Sequence, residues 1–554
     1  MTELLLAILL VGVTPTSQPA TSTPDTVVVC PTAWKSTLQP WVDYRTTQGH
    51  RIITISSQGS YETIRAAIRQ HARKGTTRAI VLIGDAPTAG TGSASRANTV
   101  ATQHVAARVN IHWGSEPLIA TDNGYADLDS DGIPDTSIGR IPVDSSDELA
   151  GIIKRILAYE KPRADHAWRR RINLVAGVGG FGLVTDNMIE ATARQFLATE
   201  IPKPYATTLT QASWRSAYCP DPRDFHNVTL QRLNEGCLFW IYMGHGQRNF
   251  LDQVVVPGKK RYPIFNGSHV KKLDSQGTPA IAILLACYSG AFDAPEDCLA
   301  EAMLRQPGGP VAVLAGSRMT MPYAMSVMGQ GLVKGYFRDR CPTLGDVILT
   351  AKQELVSTTP STVKATQWNR RLLDTMARLL SPRPDLIEAE RHEHLALFNL
   401  LGDPLLRLHH PDSISITCPP HVAAGSEIPV QVTSPWSGHA TIELVCRRGI
   451  PRESMAPRTT YDPTDQALKQ YRQTYERAND QAWTRLQIPL PKGPGQFTIK
   501  VPANARGSCF IRILGEGTNR YGLGSCPVFI RQDLSAPDLP TDPATGRSPN
   551  KPAS

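Results

Sequence analysis

Among the ten cysteines of this 554-residue chain, no two stand in a Cys-x-x-Cys pair. A zinc ribbon and a thioredoxin-type redox motif are thereby excluded. There is no arginine-rich arm, zinc finger or RNA-binding signature, and the 58 basic and 49 acidic residues are scattered. The formal charge of +9 therefore gives no footprint for nucleic acid. No repeat of solenoid period occurs. Past the first residues no apolar run is long enough to cross a bilayer, so no stable membrane span is expected. The start, Met1–Val13, is apolar but short, carries Glu3 and lacks Lys or Arg, and a Thr/Pro/Ser-rich stretch follows over 14–26. This has the shape of an export signal, although a basic n-region is missing. The expectation is a signal-like segment, 1–25, and a secreted, periplasmic or cell-surface protein. The same residues would also suit a frayed tail.

What is present reads as several domains, since a single core rarely grows past about 300 residues. From Thr26 onward short β-rich runs alternate with helical patterns. Val27–Cys30, Arg51–Ser56 and Ala79–Gly84 read as strands of a parallel sheet. Ser145-Ser-Asp-Glu148 has capping-box spacing, and Leu149, Ile152, Ile153, Ile156 and Leu157 then share one helical face. These residues form an N-terminal α/β subdomain, 26–165. A second, 166–411, carries strand-like runs at Ile172–Ala176, Cys237–Met243, Ala280–Ala286 and Val311–Ala315. After Pro411 short alternating segments dominate, the pattern of a β-sandwich over 412–532 with a polar insertion at 451–482. Cys418, Cys446, Cys509 and Cys526 fall there and could supply two bridges, of undetermined connectivity. The tail, 533–554, is rich in Pro, Asp and Ser and is expected to be disordered.

Two apolar runs stop at small, reactive turns: Phe239-Trp-Ile-Tyr-Met-Gly-His-Gly246 and Leu284-Leu-Ala-Cys-Tyr-Ser-Gly290. Reacting groups in α/β sheets collect at the carboxyl ends of strands. A lone Cys after a buried strand is usually a small core residue. Beside His245, however, Cys287 reads as a nucleophile with its base. The N–H groups of Gly246 and Cys287 suit an oxyanion hole. This points to a cysteine peptidase acting on a protein or peptide substrate, with no cofactor required for the chemistry.

The pairing resembles the gingipain family of caspase-like cysteine peptidases. The likeness extends through Glu296-Asp-Cys-Leu-Ala-Glu-Ala-Met303, Val311-Ala-Val-Leu-Ala-Gly-Ser317, Leu400-Leu-Gly-Asp-Pro-Leu-Leu406, Ile83-Gly-Asp85 and Ile138-Gly-Arg-Ile-Pro142. It implies an α/β fold of caspase-like parallel sheets with flanking helices in two subdomains, followed by an immunoglobulin-like β-sandwich. It also implies a substrate contact at Ser317 and a pocket loop after it containing Tyr323, where the family has Trp. The family's orienting Glu is replaced by Val178, before Gly179-Gly180. Asp186 falls near the carboxylate that sets basic P1 preference in arginine-directed members, and would equally cap the helix that follows.

Two further motifs remain. Asp127-Leu-Asp-Ser-Asp-Gly-Ile-Pro-Asp135 supplies oxygen ligands in a turning loop, and Asp127, Asp129, Asp131 and Asp135 are candidate ligands for a structural Ca²⁺. Ile138 stands where an EF-hand needs its bidentate Glu, and a plain polar turn would use the same residues. Arg391-His-Glu-His394 reads as a solvated helix end rather than a metal pair. The resulting reading is an exported cysteine endopeptidase with a Cys287–His245 dyad, acting after basic residues if Asp186 lines the pocket. The alternatives are a catalytically inactive cell-surface binding module and a sortase-like transpeptidase.

Overall fold

A computed structural model describes residues 23–88, 98–161, 163–178, 200–357, 371, 373–379, 381, 383–456 and 458–532. The signal-like segment up to residue 22, Asp186 and the C-terminal tail lie outside the described residues.

In chain order the α/β part contains β1 (Thr26–Cys30), β2 (Ile52–Ser56), β3 (Ala79–Ile83), β4 (Gln103–Ala106), β5 (Leu118–Thr121), β6 (Ser137–Ile141), β7 (Arg171–Ala176), β8 (Ala206–Gln211), β9 (Phe239–Met243), β10 (Gln253–Val255), β11 (Arg261–Pro263), β12 (Ile281–Leu285), β13 (Ala312–Gly316) and β14 (Phe398–Leu401). Ten of these form one sheet, in the order β2-β1-β3-β6-β14-β13-β12-β9-β7-β8. The strands β3, β12 and β13 are buried along their whole length. Their near-continuous runs of Val, Ile, Leu and Ala follow from helices covering both faces. The capping signal at Ser145 holds: its hydroxyl accepts the Glu148 N–H at 3.3 Å, and Leu149, Ile152, Ile153 and Ile156 are buried.

The two α/β units read from the sequence share this single sheet. The junction is β14, which runs antiparallel to β13 and meets β6 in parallel through Leu401 and Arg140. Close approach here needs glycine, because a Cβ on Gly139 would lie 2.5 Å from the Gly402 carbonyl oxygen. Immediately after β14, Asp403 accepts hydrogen bonds from Trp41 Nε1 at 2.5 Å and Arg45 at 2.6 Å. Arg45 also makes a two-pronged pair with Glu160 at 2.8 and 2.9 Å. All three charged side chains are fully buried.

The sandwich pairs a sheet of six strands with one of three. It comprises β15 (Asp412–Ser413), β16 (Ser415–Thr417), β17 (His421–Ala423), β18 (Glu427–Ser434), β19 (Gly438–Cys446), β20 (Ala482–Leu490), β21 (Gly493–Lys500), β22 (Gly507–Gly517) and β23 (Arg520–Arg531). Strand β18 alternates exposed and buried residues along its length, as an outer sheet of a sandwich requires. Cys418 and Cys526 bring their sulfurs to 2.9 Å, and Cys446 stands opposite Cys509 across β19 and β22. The polar insertion contains a helix, Asp465–Asn479. Its Asn479 side chain bonds both the N–H and the C=O of Leu209, at 2.7 and 3.0 Å, and so blunts the free edge of β8.

Removing one partner from a buried ion cluster leaves uncompensated charge. Asp403→Ala is therefore expected to destabilise the α/β part by roughly 3–5 kcal/mol. Denaturant unfolding followed by tryptophan fluorescence measures this, and an unchanged midpoint would remove the cluster from any structural role.

Candidate active site

Strands β9 and β12 are neighbours in parallel, with Met243 level with Leu285. His245 and Cys287 each stand two residues past that pair, so the two side chains emerge at the same level of the sheet's carboxyl edge. The glycines around His245 serve the approach of the strand ends. A Cβ on Gly244 would lie 2.8 Å from Gly177 Cα, and one on Gly246 would lie 2.7 Å from the Cys287 carbonyl oxygen. Neighbouring backbone thus fills the space that side chains at these two positions would take. His245 is held from below by Tyr242, whose hydroxyl donates to the His245 carbonyl at 2.7 Å.

Cys287 is half-buried. Its sulfur accepts the Thr320 N–H at 3.3 Å and lies 3.6 Å from the Thr320 hydroxyl. Tyr288 takes φ +56°, a left-handed conformation that is costly for a residue with a Cβ. Hydrogen bonds to the loop after β13 hold it there. The Tyr288 N–H donates to the Arg318 carbonyl at 3.0 Å, and the Gly290 N–H to Gly316 at 2.9 Å. Arg318 is itself anchored by Asp293 at 2.6 and 2.8 Å, and Asp293 also meets His104 at 3.0 Å. Burial alone would raise the Asp293 carboxyl, but His104 and Arg318 hold it well below the usual carboxylate range. On the rim, the Tyr288 hydroxyl donates to Glu116 at 2.7 Å, and Arg248 reaches the same carboxylate at 3.1 Å.

The pocket loop differs in part from expectation. Ser317, read as a substrate contact, is fully buried, and its hydroxyl donates to the Ala120 carbonyl at 2.8 Å. It ties β13 to β5 inside the molecule. Tyr323 opens the helix Pro322–Val333, is partly buried and donates to Asp374 at 2.6 Å. Val178, which replaces the expected acid, packs partly buried against the core. His394 is fully buried, not solvated. Its Nε2 accepts the Met321 N–H at 2.9 Å and its Nδ1 meets the Glu390 carbonyl at 2.7 Å, a pattern that needs the neutral ring. Burial lowers its pKa to about 4. Two residues thus carry the pocket loop in roles the sequence did not announce: Thr320, a plain loop residue in sequence, and His394, whose burial depends on tertiary packing. Glu301 is buried and caps its own helix, accepting the Cys298 N–H at 2.9 Å.

In the acidic loop, carboxylate oxygens of Asp127, Asp129 and Asp135 converge to within 4.8 Å of one another. The Lys74 ammonium reaches into this group, 2.5 Å from Asp129 and 2.7 Å from Asp135. Asp131 is turned away and accepts the Ile133 N–H at 2.8 Å. The donor set fits a hard cation, with three of the four candidate carboxylates gathered and a lysine nitrogen in the place a cation would take.

Among the described residues no helix is long and apolar enough to cross a membrane. A family model described as peptidase family C25 matches residues 19–409. Lys-gingipain of Porphyromonas gingivalis is 24% identical over 196 residues, covering 35% of this chain and 10% of that protein. The chain thus relates to about a tenth of the length of the curated relatives it matches. Among solved structures, the Arg-specific cysteine proteinase gingipain R superposes with a TM-score of 0.51 at 15% identity, over 92% of this chain and 98% of that one. The complex of the pro- and mature domains of RgpB from Porphyromonas gingivalis gives a TM-score of 0.50 at 15% identity, over 91% of this chain and 100% of that one. These superpositions bear on the fold, which is the gingipain fold of caspase-like α/β sheet and appended sandwich. With a family model covering most of its length, and with a thiol and an imidazole brought to adjacent strand ends, the chain belongs to peptidase family C25, the gingipain family of cysteine peptidases.

Proposed function

We propose that the chain is an exported cysteine endopeptidase in which Cys287 and His245 form the catalytic dyad. The observation that carries this reading is the shared level of the two residues on adjacent parallel strands. His245 takes the thiol proton, and the Cys287 sulfur attacks the carbonyl carbon of the scissile bond. The N–H groups of Gly246 and Cys287 receive the developing oxyanion. His245 then passes the proton to the leaving amine, and water, activated by the same imidazole, hydrolyses the thioester. The Thr320 N–H is aimed at the sulfur and fixes its position beside the reacting carbonyl. The substrate is a protein or peptide, bound beside Tyr323. A cation at Asp127, Asp129 and Asp135 would stiffen the N-terminal unit without entering the chemistry.

Cys287→Ala is expected to lower kcat by at least about 10⁴-fold, and His245→Ala by a similar order, because nucleophile and base act as a unit. Peptide-library cleavage by well-folded variants measures this, and an active Cys287→Ala protein would refute the dyad.

If Asp186 lines the specificity pocket, cleavage occurs after Arg in preference to Lys, since a carboxylate pairs bidentately with guanidinium. Asp186→Asn is then expected to reduce cleavage after basic residues about 10- to 100-fold. As a helix cap alone the residue would tolerate Asn, and a cleavage profile dominated by apolar P1 residues would discard the pocket role.

Calcium bound at 100 times its Kd would add about 2.7 kcal/mol of stability. Addition of a chelator is expected to lower the melting temperature, and Asp129→Asn combined with Asp135→Asn should abolish that response. Identical melting with calcium and with chelator would reduce the loop to a polar turn held by its own hydrogen bonds and Lys74.

A further inference from the structure

Just past His245 the chain makes a tight hairpin. The Gln247 N–H donates to the Phe250 carbonyl at 2.9 Å, and Gly246 and Leu251 form an antiparallel bridge. Extended by one residue, that register sets His245 opposite Asp252. Directly opposed residues in an antiparallel pair project to the same face, with Cβ atoms about 4.5–5.5 Å apart. The hairpin is fixed on its far side as well. The Leu251 N–H donates to the Phe265 carbonyl at 2.8 Å, and the Ile264 N–H to the Asp252 carbonyl at 2.9 Å.

The Asp252 side chain is half-buried. One carboxylate oxygen accepts the Gln253 N–H at 2.7 Å. Among the described residues, the charged and titratable groups that face it are His245, Arg261 on β11, and the buried Tyr242 hydroxyl. Burial raises its pKa, against the pull of the Gln253 N–H, His245 and Arg261. A carboxylate so placed gains most when a cation forms beside it. The imidazolium of His245 is such a cation, and it appears each time the thiol gives up its proton.

We propose that Asp252 is the positioning acid of this site: it stands across the hairpin from His245, orients the imidazole and stabilises it when charged, in place of the acid that the resemblance expects where Val178 stands. The assignment rests on the Cys287–His245 reading above. It places the acid after the histidine in the chain, on the arm that follows β9, instead of at the end of β7.

The test uses the full chain and iodoacetamide, with alkylation of Cys287 followed by peptide mass spectrometry across the neutral pH range. Less thiolate–imidazolium pair should be present once the carboxylate is gone. Asp252→Asn is expected to slow Cys287 alkylation on the acidic side of neutrality by about tenfold, equivalent to one unit of pH. It should also lower kcat with little change in KM and shift the pH–rate profile, while Asp252→Glu recovers part of each. Asn can still accept the Gln253 N–H, so the hairpin is retained. Asp252→Ser, which removes the carboxylate and keeps a small polar side chain on the hairpin, repeats the test should the Asn variant fail to fold. Alkylation and pH profile unchanged in Asp252→Asn, with His245→Ala clearly slowed, would overturn the role of Asp252 and leave the dyad standing. If Cys287 reacts no faster in the unsubstituted protein than in His245→Ala, the dyad itself is absent and the proposal falls with it.

Discussion

The pairing of β9 with β12 is the constraint on which the site depends. Parallel strands are held by evenly spaced hydrogen bonds, so one register serves the whole pair. Met243 opposite Leu285 fixes the heights of both His245 and Cys287. A slip of one residue would turn every side chain of one strand to the other face. Apolar burial of both strands makes that slip costly, since Trp240, Tyr242 and Leu284 would exchange environments with their neighbours. The local features at the strand ends then follow. Gly246 gives way to the backbone of Cys287, and Tyr288 accepts a left-handed conformation because its N–H has a partner in Arg318.

The surrounding structure keeps that register rigid. Strand β14 closes the gap between the two α/β units, and Asp403 behind it joins Trp41, Arg45 and Glu160 in a buried cluster. Such a cluster adds modestly to stability while intact, but it penalises any rearrangement that separates its members. The sandwich is anchored by a second set of charges. Glu443 receives Arg170, Arg485 and Arg512, and its pKa falls to about 2 because those guanidinium groups outweigh the effect of burial. Arg448 reaches out of the sandwich to the carbonyls of Ile201, Pro202 and Tyr205, at 2.6 to 2.7 Å. Polar contacts of this kind specify one docking geometry, which an apolar face alone would leave loosely defined.

Much of this was legible in the chain because it rests on local periodicity and on turn chemistry. The apolar runs ending at His245 and Cys287, the helix start at Ser145, the alternation in β18 and the change of texture after Pro411 are all properties of consecutive residues. They determined the class of each element, the layering, and the two reactive groups at strand ends. Long-range partners were not legible. Phe398–Leu401 reads as one more apolar run, and only the meeting of β6 with β13 makes it an antiparallel bridge between two units. Ser317 and His394 have the composition of surface residues, yet packing withdraws both. Thr320 and Asp252 carry no motif, because their roles come from where a loop and a hairpin return in space. The sequence by itself determined that a thiol and an imidazole would stand at the ends of buried strands. Which residues support them was decided by tertiary structure, since hydrogen bonds and charge interactions act over a few ångströms whatever the separation along the chain.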